Sequence, residues 1–97
     1  MRWVAIFEDT PQMLAVRAER EHLHLAYLDR HRDEIVLAGG CRPAPGEAFV
    51  GGLWVLEVAS RERAVELIEA DPYYVPACRS YALRTWGKAF PERRVSL

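Results

Sequence analysis

Long apolar runs are missing from this chain, and so is any surplus of charge of one sign. No stretch approaches the ~18 consecutive apolar residues of a membrane-spanning helix, so no transmembrane segment is expected. The opening run Trp3-Val4-Ala5-Ile6-Phe7 is too short for the apolar region of a signal peptide, and the chain is expected in the cytoplasm. Thirteen Lys and Arg against fourteen Asp and Glu leave a formal net charge of -1. A surface that binds nucleic acid by releasing counterions needs a basic excess, so neither nucleic acid nor membrane is an expected partner. Cysteine is scarce. Cys41 and Cys78 lie 37 positions apart, which fits neither a CxxC redox motif nor a zinc knuckle. They are expected as two small buried thiols, and a disulfide is not expected in a reducing compartment. The chain has no Walker loop, no GxGxxG, no GxSxG and no cluster at metal-ligand spacing. No cofactor or metal is therefore expected, and a serine hydrolase built on GxSxG is excluded.

Apolar side chains are plentiful by contrast. Hydrophobic residues make up 51% of the chain, with ten aromatics that include Trp3, Trp54 and Trp86. Residues 1–97 suffice for one domain and one core. So small a domain buries only part of its surface when it folds alone, so the surplus points to a homodimer.

Strand, helix, strand, strand, helix, strand is the order the pattern predicts. Trp3 to Phe7 has strand length and is stopped by Glu8-Asp9-Thr10-Pro11. Thr10 is a candidate N-cap with Pro11 at the first helical position. Gln12 to about Arg32 is helical, with Leu14, Ala18, Leu25 and Leu28 on one stripe and His22 at its margin. Glu34 to Cys41 reads as a strand ending in Gly39-Gly40, and the proline-rich segment from Arg42 to Glu47 as a hairpin connection. Leu53 to Val58 is a strand introduced by Gly51-Gly52. Ser60 caps a helix from Arg61 to Ala70, with Ala64, Leu67 and Ile68 on its buried face. Asp71-Pro72 ends it, and Arg79 to Phe90 supplies the last strand. The βαββαβ order indicates an α+β, ferredoxin-like split βαβ, an antiparallel sheet with both helices on one face. Many of the aromatics are expected on the uncovered face, which must then meet a second subunit or a ligand. The RNA-recognition module shares this order, but its aromatic-glycine strand motif is not present.

Two residues stand out chemically. His22 and Asp71 are an imidazole and a carboxylate that, brought together, could fix a tautomer and move a proton near neutral pH. Each also has an ordinary reading, His22 as a packed helix histidine and Asp71 as an Asp-Pro turn residue. His24 and His31 have no partner at motif spacing and are expected at the surface. Gly39 and Gly40 either admit a ligand to the backbone or permit a bulge. Tyr73, Tyr74, Trp54 and Trp86 either stack on a ligand or pack the core. Arg42 and Arg84 are candidates to hold a carboxylate or enolate oxygen, or else form surface salt bridges.

Four segments, in this order, resemble the YCII-related (YciI-like) domain family: Arg20-x-His22-Leu23, Leu37-Ala38-Gly39-Gly40, Gly51-Gly52 and Glu69-Ala70-Asp71-Pro72-Tyr73. The resemblance spans nearly the whole chain. It implies a ferredoxin-like fold that dimerises as an α/β barrel with the two sheets facing. It also implies a His-Asp pair, here His22 and Asp71. In the functional reading His22 is the general acid/base and Asp71 its orienting partner, and Gly39, Gly40, Arg42 and Tyr73 are the candidates to lie beside the substrate. The chain departs from the family where Gly40-Cys41-Arg42 stands before Pro43, since members commonly carry proline directly after the Ala-Gly. One related branch is implicated in eliminating chloride from an aromatic ring compound without a cofactor. The function expected is elimination or isomerisation of a small aromatic or enolisable compound. The alternative is a non-catalytic binding or assembly module of the same fold.

Overall fold

A computed structural model describes residues 1–95. Six elements follow one another: β1 (Arg2–Asp9), α1 (Met13–Arg30), β2 (Ile35–Cys41), β3 (Gly51–Glu57), α2 (Arg61–Glu69) and β4 (Arg79–Thr85). The strands form a single sheet in the order β2-β3-β1-β4, every neighbouring pair antiparallel. Each helix carries the chain across the face of one intervening strand, which is the ferredoxin-like arrangement that the element order predicts.

Both helices cover the same face. Ala5 and Phe7 of β1, Trp54 and Leu56 of β3 and Leu83 of β4 point into it and meet Tyr27, Ala64, Leu67 and Ile68. Full burial of a side chain such as Leu67 or Ile68 contributes about 1.5–3 kcal/mol. Tyr27, otherwise a buried polar liability, donates its hydroxyl to the Leu67 carbonyl at 2.5 Å and so ties α1 to α2. Ser60 caps α2 as expected, its hydroxyl oxygen accepting from the Arg63 N–H at 3.1 Å. Thr10 does not cap α1. The position before the helix is Gln12, with no side-chain bond, and Thr10 contributes only its carbonyl to the Met13 N–H.

Three further expectations are corrected. The aromatics Trp3, Phe7, Trp54 and Tyr81 lie with the core on the covered face. The open face is aliphatic instead, because register places Val4, Ile6, Leu53, Val55, Leu37 and Ala82 together there. The bulge in β2 is at Val36, between Ile35 and Leu37, and Gly39-Gly40 continue in regular pairing opposite Leu53 and Gly52. The buried side of α1 also carries a different phase. Met13, His24 and Tyr27 are buried, whereas Leu14 and Leu25 are 40% and 55% exposed. This helix has apolar residues on two faces. The sheet takes the face whose polar members, Arg17 and His24, find buried partners.

Candidate functional site

At the end of the sheet where β1 finishes, the covered face changes character. Phe7 is paired with Gly52, and Gly52 with Gly40, so two neighbouring floor positions have no side chain. A Cβ at Gly40 would lie 2.5 Å from the Phe49 ring and 3.3 Å from Nη1 of Arg17. At Gly52 it would meet the Gly39 carbonyl oxygen at 2.9 Å. The bare floor leaves a chamber of about 20 Å³ beneath Arg17, His24, Tyr73 and Arg79. It continues outward into a cleft of about 310 Å³, walled by Phe49, Ala38, Leu25 and Leu28.

His24 lines both spaces and pairs with Asp71, which lines neither. Nδ1 of His24 lies 2.7 Å from Oδ1 of Asp71, and both side chains are almost wholly buried. Asp71 follows the end of α2, where Oδ1 also accepts the Tyr73 N–H at 3.1 Å. An ionised carboxylate can only accept, so Nδ1 of His24 donates and Nε2 carries the free lone pair of the neutral ring. Tyr73 stacks on the imidazole with centroids 3.7 Å apart and planes 7° from parallel. That contact holds the ring plane as Asp71 holds the tautomer. Burial pushes the Tyr73 hydroxyl above the ordinary tyrosine value, against the pull of Arg17. It therefore stays protonated and donates to the Arg17 carbonyl at 3.4 Å.

Beside the chamber a second cluster joins four elements, β1, α1, β3 and β4. Asp9, at the end of β1, accepts two bonds from Arg79 of β4 at 2.8 and 3.0 Å. A third bond comes from Nη2 of Arg17 at 3.2 Å, and the same nitrogen donates to the Gly51 carbonyl at 2.9 Å. Arg79 and Asp9 are 3% and 1% exposed at their side chains. Charges this deeply buried need such pairing to remain ionised.

The residues expected from the sequence separate here. Asp71, Tyr73, Gly39 and Gly40 all border the chamber or contact His24. His22 does not: it is exposed on α1, and the partner of Asp71 is His24. Two residues along a helix is about 200° of rotation, so the two imidazoles cannot share a face. Arg42 lines neither space. Its guanidinium lies 4.0 Å from the Phe49 ring centroid, with Arg17 at 4.3 Å from the same ring. Arg84 sits on the exposed open face and bonds the Leu83 carbonyl. Trp54 does line the chamber, Tyr74 packs on Tyr81, and Trp86 is exposed. Cys41 and Cys78 are unpaired, but Cys41 is exposed, contrary to the buried thiol expected. Arg17, Arg79, Asp9 and Phe49 were not legible as site residues. For α1 the usable signal was the spacing of Met13, Arg17, Arg20, His24 and Tyr27, steps of four and three that trace one helical face. Among the described residues no group of three or more His, Cys, Asp or Glu is placed to hold a metal ion.

The YCII-related domain model matches residues 1–87 of the sequence. The chain belongs to the YCII-related domain family. Its fold is also that of 5-chloro-2-hydroxyhydroquinone dehydrochlorinase from Burkholderia phenoliruptrix AC1100, whose structure was solved in complex with 2,5-dihydroxybenzoquinone. The two superpose with a TM-score of 0.77 at 23% identity, over 90% of this chain and 94% of the other. No curated protein matches the chain by sequence. For this YCII-related domain the comparison establishes a shared architecture. The chemistry must be argued from its own residues.

Proposed function

We propose that the cleft is the active site of a small-molecule enzyme in which His24 moves the proton and Asp71 orients it. The observation that carries this reading is the buried 2.7 Å contact between Nδ1 of His24 and Asp71 at the wall of an open cleft. With Nδ1 committed, Nε2 is the basic atom available to a ligand, and the imidazolium formed on proton abstraction is stabilised by the carboxylate. A positioned acid/base of this kind contributes about 10²–10⁴-fold to rate. That suffices for elimination or isomerisation of an activated aromatic or enolisable compound and is too little for cleavage of an unactivated bond. Proton transfer requires no electron acceptor, so the reaction proposed is cofactor-free. The like-folded dehydrochlorinase gives this class of chemistry a precedent on the same scaffold.

His24→Asn tests the assignment. Asparagine can still donate from Nδ2 to Asp71, yet it has no counterpart of Nε2. Against candidate chlorinated or enolisable ring compounds, kcat should fall about 10²–10⁴-fold with the melting temperature little changed. His22→Gln should leave kcat as it was. A His24→Asn protein with unaltered turnover would sink the proposal.

The second reading is a binding module without turnover. It is favoured by the bond from the Tyr73 N–H to Asp71, which gives that carboxylate a structural use at the helix end. Under it, parent and His24→Asn proteins bind the same compounds and neither converts them. We further propose a cytoplasmic homodimer joined through the aliphatic sheet face, with room for higher assembly at the edge strands. No helix among the described residues is long and apolar enough to cross a membrane.

A further inference from the structure

We infer that the inner chamber is an anion subsite, in which Arg17 receives a charged oxygen of a small planar substrate. This rests on reading the cleft as a small-molecule site and specifies what that site takes.

Three observations converge on it. Two guanidiniums, the buried Arg79 and the partly buried Arg17, share a single carboxylate, and Asp9 gives its bidentate contact to Arg79. Arg17 is left with the weaker share, one nitrogen at 3.2 Å. Its Nε is buried with no hydrogen-bond partner, although a buried N–H left unpaired is costly. Finally, the chamber beside it has the volume of about one water-sized group, about 20 Å³, and opens into a cleft large enough for a ring. Nη1 of Arg17 lies against the floor at Gly40, and Nη2 of Arg79 would be 3.9 Å from a Cβ at Gly52. The two glycines thus keep the sheet bare beside the guanidiniums. A phenolate, enolate or carboxylate oxygen fits this setting in size and charge, with the ring outside against Phe49 and Leu28 and within reach of His24. Glu21 is the one carboxylate that lines the outer cleft, and it does not line the chamber. Arg17 is accordingly a binding and specificity residue, and His24 remains the base.

Benzoate and its neutral isostere benzamide make the test, followed by NMR on the full chain. The parent protein should bind benzoate at least about tenfold more tightly, as expected for one charge-assisted hydrogen bond to a partly buried cation. The Arg17 Nε–H and Trp54 indole N–H resonances should shift with benzoate. Arg17→Met should abolish the preference while benzamide affinity stays within about twofold. Equal affinities in the parent, or a preference that survives Arg17→Met, would overturn the inference. Should Arg17→Met fail to fold, the parent alone decides, since an Arg17 Nε–H that ignores benzoate is equally fatal. His24→Asn is expected to keep the preference. Its loss there would transfer recognition to the imidazole and overturn the assignment, whereas absent turnover with the preference intact would count only against the catalytic reading.

Discussion

Asp71 illustrates how one side chain serves local structure and chemistry together. Its carboxylate oxygen accepts from the next turn's backbone and from His24, so the groups that end α2 also set the imidazole tautomer. Tyrosines in this domain show the opposite economy, with burial as the leading cause of their altered titration. Tyr81 is the clearest. Burial, and then the hydrogen bond its hydroxyl donates to Glu69 at 2.9 Å, pushes it up to about 12. Tyr27 and Tyr73 move the same way, burial again leading. A folded-state value above the unfolded one, near 10, means that the unfolded chain gives up the proton first. The stability these phenols contribute is therefore complete below about pH 10 and is lost above it, for Tyr81 as pH rises toward about 12. Urea unfolding measured from pH 8 to 11.5 should show a falling midpoint above pH 10, and Tyr81→Phe should flatten that decline. A variant whose midpoint falls as steeply as the parent's would refute the assignment to Tyr81.

The elements differ in how openly the sequence declares them. α2 is legible because it has a capping serine, one apolar stripe and an Asp-Pro stop, and each does what its chemistry predicts. Removing the cap in Ser60→Ala should cost about 0.5–2 kcal/mol. For a domain of this size that corresponds to a melting temperature lower by about 2–15 °C at fixed protein concentration. An unchanged thermal midpoint would show that Ser60 contributes nothing to α2. The order of the elements was equally accessible, but the side of the sheet that carries the aromatics was not. Neither was α1, because Leu14, Ala18, Leu25 and Leu28 form a credible apolar stripe, of which the fold leaves Leu14 and Leu25 exposed. Its true inner face is marked by Arg17 and His24, whose burial depends on Asp9 and Asp71, residues supplied from elsewhere in the chain. Hydropathy periodicity cannot see a polar residue that is buried because a distant partner awaits it. For that reason the histidine that pairs with Asp71 is His24, two positions from the His22 that the sequence suggested.

At the scale of the molecule, the unanswered demand is the open sheet face. Val4 and Val55 at its middle are only 9% exposed, and the surface is carried by Ile6, Leu37 and Leu53 around them, each about 40% exposed. Contiguous aliphatic surface of this kind in a small domain calls for a cover, and the cover we propose is a second copy. Polar pairs flank the patch, among them Arg2 with Glu57 at 2.6 Å, as expected of an interface with an apolar centre and a charged rim. The site itself opens on the helix-covered side of the sheet, so sheet-to-sheet assembly would leave its mouth unobstructed. Ile6→Asp places a carboxylate at the centre of the proposed interface, opposite Leu53. Sedimentation at tens of micromolar should give a dimer for the parent and a chain of 11.1 kDa for the variant. The parent's melting temperature should also rise with concentration, as mass action requires of a coupled dimer, and the variant's should not. A parent that sediments as a monomer throughout would remove the sheet face as an interface while leaving the His24–Asp71 site, built wholly within one chain, unaffected.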